Sequence, residues 1–353
     1  MPSSRFRAVL LAAVLLPVAI PAHAARWRSW FADSLVKVFP ADTAPRHAPK
    51  NPEIWAARNG HASLQFVIRP AEALGGVTAE IEPPKSPDGK TLAGVTVRPV
   101  GYVVVGSHSK DTPPEELVGE APGWFPDPLL DFPIDVKANR TQAFWISVGV
   151  PGDAAPGVYR GAVTARAAGR NLARAAFAVR VVAATVPEAR TLKVTNWFNL
   201  SDKASRQFYN APIFSPDWWT LVENVARVMA EHRQNVIITP LMELIVPSVE
   251  GGAFRYDFAN FDRWVETFRK AGAMDYIEGG HVLGRGREGY SGSLQVDIFQ
   301  AANGQVQTLA VPADDLDYVA YNRHLDLIVA KMEEKLTGKE EVVFEPDEVA
   351  RLG

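Results

Sequence analysis

The stretch Thr185–Leu200, "TVPEARTLKVTNWFNL", is where the chain changes its period, and the fold follows from what lies on either side of it. Upstream, from about Ser34 to Pro187, short runs alternate polar and apolar residues between turn residues. Examples are "SLQFVIRP" (63–70), "VTVRPVGYVVV" (95–105), "TQAFWISVGVP" (141–151) and "GVYRGAVTARAAG" (157–169). Period-two alternation puts every second side chain on one face of a strand, so this region reads as an antiparallel β-sandwich spanning 25–188. The proline- and acid-rich insert "SHSKDTPPEELVGEAPGWFPDP" (107–128) reads as a long loop between two strands.

Downstream, strands alternate with helices. "LKVTNWFNL" (192–200) reads as a strand. In "SPDWWTLVENVARVMAEHR" (215–233), Trp218, Leu221, Val222, Val225 and Met229 then recur at helical spacing behind Ser215 as N-cap and Pro216 in the first turn. "NVIITPL" (235–241) is the next strand. "DFANFDRWVETFRKAG" (257–272) stripes Phe258, Phe261, Val265 and Phe268 along a helix that Gly272 can end. A third strand, "DYIEGGHVL" (275–283), precedes a two-stranded excursion, "LQVDIFQAANGQVQTLAV" (294–311). A long helix from Leu316 to Leu336 leads to a fourth strand, "EVVFEP" (341–346). Such alternation implies right-handed βαβ units and a parallel sheet. A complete (β/α)8 barrel of the TIM type takes about 250 residues, so residues 189–353 read as a partial barrel, its first half. The fold class expected is multidomain, a β domain followed by an α/β one.

The first 24 residues stand outside this fold. Arg5 and Arg7 precede the apolar run "AVLLAAVLLPVAIPA", which ends at the small-residue site Ala22-His23-Ala24, the pattern of a secretory signal. The address implied is periplasmic or extracellular, and no later stretch is long and apolar enough to predict a membrane span. A formal net charge of −3 gives no reason to expect nucleic acid as a partner, and the absence of cysteine excludes disulfides and thiolate metal sites. The sequence leaves the oligomeric state open.

Motif by motif, most familiar chemistries fall away. "GRGREG" (284–289) satisfies G-x-G-x-x-G, but strand-like residues follow where a dinucleotide site needs a helix, so the glycines read as a flexible loop. The seven histidines form no H-x-x-x-H pair and no ligand cluster; neither metal nor other cofactor is expected. "GYSGS" (289–293) is only part of a nucleophile elbow, leaving an esterase built on Ser291 and His281 as a weak alternative. In a parallel barrel the C-terminal strand ends face the site. Glu278, His281 and Arg285 of "YIEGGHVLGR", and Asn196, Trp197 and Asn199 of "TNWFNL", are therefore candidate substrate-binding residues, set against the plainer reading that His281 caps a strand and Trp197 is core. Asp347 and Glu348 follow the fourth strand. Side by side, they could both meet a ligand only where the strand has ended and the backbone turns, as Pro346 suits; otherwise they are two solvated acids.

Three strings taken together, "WAARNGHASLQFVIRP" (55–70), "VPGDAAPGVYRGAVTARAAG" (150–169) and "FQAANGQVQTLAVPADD" (299–315), resemble glycoside hydrolase family 123 and its relatives. The resemblance covers most of the chain. It implies a β-sandwich before a (β/α)8 barrel, a carbohydrate substrate, and release of β-linked N-acetylgalactosamine with retention. By that resemblance Glu348 would be the general acid, and Asp347 would orient the substrate's acetamido group, whose carbonyl attacks the anomeric carbon. Val349 stands where the family usually has proline. The competing expectation is a glycan-binding or cell-envelope module without catalysis.

Overall fold

The computed structural model describes residues 27–250, 253–279, 284–285, 294–300, 305–311 and 341–343. The chain divides into two compact units, Met1–Glu188 and Ala189–Gly353.

Ten strands build the first unit: β1 (Trp27–Asp33), β2 (Glu53–Arg58), β3 (Gly60–Pro70), β4 (Leu74–Lys85), β5 (Gly94–Val105), β6 (Gly123–Leu129), β7 (Ile134–Val136), β8 (Gln142–Val150), β9 (Gly157–Ala167) and β10 (Arg170–Thr185). They form two five-stranded sheets, β1-β3-β8-β5-β6 and β2-β10-β9-β4-β7. The alternation read from the sequence has its expected result. Phe66, Phe144 and Ile146 from the first sheet and Val163, Phe177 and Val179 from the second lie in one buried cluster, and the rings of Phe31 and Phe177 meet across it at 6.3 Å.

Two features differ from expectation. β2 runs parallel to β10, with Glu53 opposite Ala178, because the chain changes sheets at the turn between β2 and β3. Asn59 there takes the left-handed conformation (φ 54°), and its amide ties the turn to the carbonyl of Val186. The insert 107–128 is also not all loop. Its last third enters β6, pairing Trp124 with Val104 and Phe125 with Val103. Pro126 and Pro128 disguised it, and they are tolerated because β6 is an edge strand with no partner on its far side among the described residues.

The second unit holds α1 (Asp202–Tyr209), α2 (Pro216–Glu231), β11 (Val236–Thr239), α3 (Leu241–Leu244), β12 (Val246–Glu250), β13 (Ala253–Asp257), α4 (Ala259–Ala271), β14 (Tyr276–Gly279), β15 (Gly284–Arg285), β16 (Leu294–Gln300), β17 (Gln305–Val311) and β18 (Glu341–Val343). Its centre is a parallel sheet, β11-β14-β18, extended by a bridge from Thr195 to Val236. Neighbours in space are neighbours in sequence throughout. The expected first strand shrinks to that single bridge, because the Asn235 side chain, rather than a ladder, accepts the Val194 N–H at 2.8 Å.

α2 begins as read: the Ser215 hydroxyl accepts the Trp218 N–H at 3.2 Å, with Pro216 in the first turn. α4 ends at Gly272, which is left-handed at φ 76°. Trp218, Val222 and Met229 of α2 and Phe261, Trp264 and Phe268 of α4 are buried with Ile237 and Ile277 of the sheet. At the N-terminal ends of the strands a polar clasp replaces apolar packing. The fully buried Asn235 donates to Asp275 at 3.2 Å. Arg190 bonds the Asp275 carboxylate at 2.8 Å and the carbonyls of Gln234 and Gly272 at 2.9 and 2.7 Å.

Two antiparallel excursions leave this sheet: β12 with β13, which the sequence reading lacked, and β16 with β17, which it contained. β15 adds a third strand to the latter, pairing Gly284 with Gln295 and Arg285 with Leu294. Those two residues of the expected glycine loop are therefore strand. The long helix expected at 316–336 and the signal segment lie outside the described residues.

Candidate functional site

The site is built on alternation within β14. Ile277 is buried against α2 and α4, so its neighbours Tyr276 and Glu278 face the opposite side of the sheet. Lys193, Thr195 and Trp197, at every second position, lie on that same side. Lys193 Nζ stands 4.2 Å from the centre of the Tyr276 ring. The Thr195 hydroxyl donates to Oε2 of Glu278, and the Trp197 indole N–H donates to Oε1 at 2.8 Å. Thr195 and Glu278 belong to strands two apart, roughly 10 Å by ordinary sheet spacing, and their side chains close that gap over β11.

The Glu278 carboxylate is thus held at both oxygens, and it fixes the Trp197 ring by its edge. The ring itself is 61% exposed. An indole held at its edge and exposed to this extent suits contact with the apolar face of a sugar ring, and this position disposes of the plainer reading of Trp197 as core. Glu278 and Trp197, two of the residues singled out from sequence, are thereby brought together. Asn199 has a local task, accepting the Ser201 N–H at 2.9 Å before α1. Arg285 lies on β15, in the antiparallel excursion rather than in a loop beyond β14. His281, Ser291, Asp347 and Glu348 lie outside the described residues.

Two further acids at these strand ends escaped the sequence reading. Glu243 belongs to the short α3 directly after β11, and Asp202 opens α1 after the Thr195 segment. Asp202 bonds Arg206 at 2.7 Å and accepts the Ile213 N–H at 2.9 Å, and these hold its carboxyl below the ordinary value. Glu243 is the reverse case. Burial, and then the charge of Asp202, push it up, and its Oε2 has no hydrogen-bond partner among the described residues. The two carboxyls are thus shifted in opposite directions, Asp202 down and Glu243 up. The rule that marked strands one and three, that polar groups beyond a parallel strand face the site, applies equally to "TPLMEL" after strand two.

The raised Glu243 sets a sign for stability. A carboxyl that binds its proton more tightly folded than unfolded favours folding at low pH, and that contribution is lost as pH rises past 4.5 and through the folded value. Glu243→Gln is therefore expected to match the wild type in urea unfolding at pH 4 and to exceed it at pH 7. A difference independent of pH would show that the carboxyl is not protonated preferentially in the folded state.

Residues 197–350 match the model of the glycoside hydrolase 123 catalytic domain, and residues 41–167 match that of the glycoside hydrolase 123 N-terminal domain. The chain belongs to glycoside hydrolase family 123. A family 123 glycoside hydrolase from Clostridium perfringens, solved in work on glycolipid glycan hydrolysis, aligns with a TM-score of 0.68 at 12% identity, over 90% of this chain and 57% of that one. The chain therefore spans little more than half the length of that family 123 structure, and the likeness is one of fold. A Niemann-Pick type C2 protein from Japanese carpenter ant (TM-score 0.21, 10% identity, 44% of this chain and 92% of that) and a type I cohesin from Pseudobacteroides cellulosolvens (0.20, 11%, 40% and 94%) align far less well. No curated protein matches the sequence.

Proposed function

We propose that this chain is an exported glycoside hydrolase whose second unit is the N-terminal part of a (β/α)8 barrel. Its reaction is removal of a terminal β-linked N-acetylgalactosamine, or a related 2-acetamido sugar, with retention. Residues 1–24 serve as the export signal and place the activity in the periplasm or outside the cell.

One observation carries the reading. β18 runs parallel to β14 with Val343 beside Glu278, so β18 ends at the end of the sheet where Trp197 and Glu278 stand. Asp347 follows Val343 by only four positions. Strand order that keeps sequence order, with the α2 and α4 helices on one face, supports a singly wound barrel; a doubly wound sheet reverses its order at a switch point.

Glu348 gives its proton to the glycosidic oxygen as the bond to the anomeric carbon breaks. Asp347 holds the substrate's acetamido group so that its carbonyl oxygen forms the new bond to that carbon. Water then attacks the same carbon, gives a proton back to Glu348 and reopens the ring, and two inversions leave net retention. Trp197 carries the sugar's apolar face, Glu278 positions Trp197, and His281 and Arg285 add polar contacts. Proton NMR of the first product from an alkyl β-N-acetylgalactosaminide, read before mutarotation, tests the proposal. A β-configured product is expected; an α product, or glycan binding without turnover, overturns it.

A further inference from the structure

The first unit carries a groove of about 480 Å³ on the outer face of its second sheet. Gly161, Ala162 and Ala176 form its floor, and Glu82, Lys85, Arg160 and Arg174 stand around it. Among the described residues, three arginines of this face are each answered by an acid across the strands: Arg166 by Glu80 at 2.9 Å, Arg174 by Glu82 at 2.7 Å, and Arg180 by Glu53 at 2.6 Å. Arg160 breaks the rule. Its direct cross-strand partner is Lys85, both side chains are exposed, and Arg160 makes no hydrogen bond or ion pair among the described residues.

Like charges directly opposite one another cost stability, and the backbone is shaped to keep them there. A bulge between Glu82 and Lys85 sets their register. Pro83 and Pro84 build that bulge, and Gly161 admits it, since a Cβ there would meet the Glu82 carbonyl oxygen at 2.9 Å and Pro84 at 3.0 Å. Beside the two cations, Glu82 is gripped at both oxygens by Arg174, whose hydrogen bond, before any other influence, holds the carboxylate ionised.

The geometry points to a binding site for an acidic polysaccharide, with a carboxylate or sulfate seated between Lys85 and Arg160 and adjacent hydroxyls donating to Glu82. Cations in a pocket recognise oxyanions through charge-assisted hydrogen bonds, and the acid alongside suits a hydroxyl-rich ligand with sparse charge. A nucleic acid strand carries a phosphate at every residue and would bring anions against Glu82. This site is independent of the catalytic proposal.

Calorimetric titration of the full chain at low salt with polygalacturonate (carboxylate) and dextran sulfate (sulfate), neither containing an acetamido sugar, tests it without reference to turnover. Binding of at least one is expected, with none of neutral dextran. The double variant Lys85→Gln/Arg160→Gln should bind about tenfold more weakly, the order expected for losing charge-assisted hydrogen bonds. A control with the same loss of charge, Lys137→Gln/Arg170→Gln, should change little. Arg160→Glu, which can pair with Lys85, should raise Tm and abolish binding, separating loss of the site from loss of the fold. Equal weakening in the two double variants, no binding of either polymer, or tighter binding of single-stranded oligothymidylate with the same dependence on Arg160 would each overturn the proposal.

Discussion

Replacing Glu348 with glutamine is expected to slow hydrolysis of an alkyl β-N-acetylgalactosaminide by about 10²- to 10⁴-fold, the usual contribution of a positioned general acid. The size of the loss should depend on the leaving group. An alkoxide cannot depart without a proton, whereas nitrophenolate departs far more readily, so the same variant should lose much less on the aryl substrate. Asp347→Asn should behave differently. If Asp347 orients the acetamido nucleophile, both substrates suffer alike, because attack on the anomeric carbon is impaired whatever leaves. The pH profile offers a third reading, since a general acid gives kcat a falling limb at high pH that Glu348→Gln should abolish. Wild type and Glu348→Gln equally inactive on the aryl substrate would remove the catalytic claim for this chain, and equal losses on alkyl and aryl substrates would remove the acid role.

Trp218→Ala is expected to destabilise the second unit by about 3–5 kcal/mol, the range for truncating a large buried aromatic. The side chain is fully buried, and its ring lies 4.8 Å from Trp219, 5.5 Å from Phe214 and 6.0 Å from Trp264. Its indole N–H donates to the Leu200 carbonyl at 3.0 Å and to the Ser205 hydroxyl at 3.1 Å, and the Ser205 hydroxyl in turn donates to Leu200 at 3.0 Å. Alanine would leave both a cavity and buried polar atoms short of a partner. Trp218→Phe should recover most of the packing and none of the hydrogen bonds. By calorimetry the alanine variant should lose roughly 6–20 °C of Tm for a unit of this size, with phenylalanine between it and the wild type. A loss under about 1 kcal/mol for alanine would mean that the aromatic cluster repacks around the gap.

What could be read in advance was local. Ser215 and Pro216 announce α2, and Gly272 announces the end of α4, because caps are decided by a few adjacent residues. The buried stripe of α4 was legible at Phe261, Val265 and Phe268, although Trp264, fully buried beside them, was passed over. Nonlocal features were not legible. The parallel pairing of β2 with β10 joins residues 125 positions apart, and no turn signal encodes it. Trp197 and Glu278 were each marked for their place beyond a strand, but their hydrogen bond spans 81 positions and needed the sheet. Glu243 went unseen because a single helical turn right after a strand presents no period to recognise.

The two prolines of β6 have a consequence beyond hiding that strand from a sequence reader. The open side of an edge strand is a row of amide donors and carbonyl acceptors that a second chain can zip onto. Pro126 and Pro128 have no N–H to offer such a partner. Exposed Trp124 and Leu129 flank them, so the most adhesive side chains of that rim accompany its least adhesive backbone. With both prolines substituted, that rim would offer two more amide donors to a second chain.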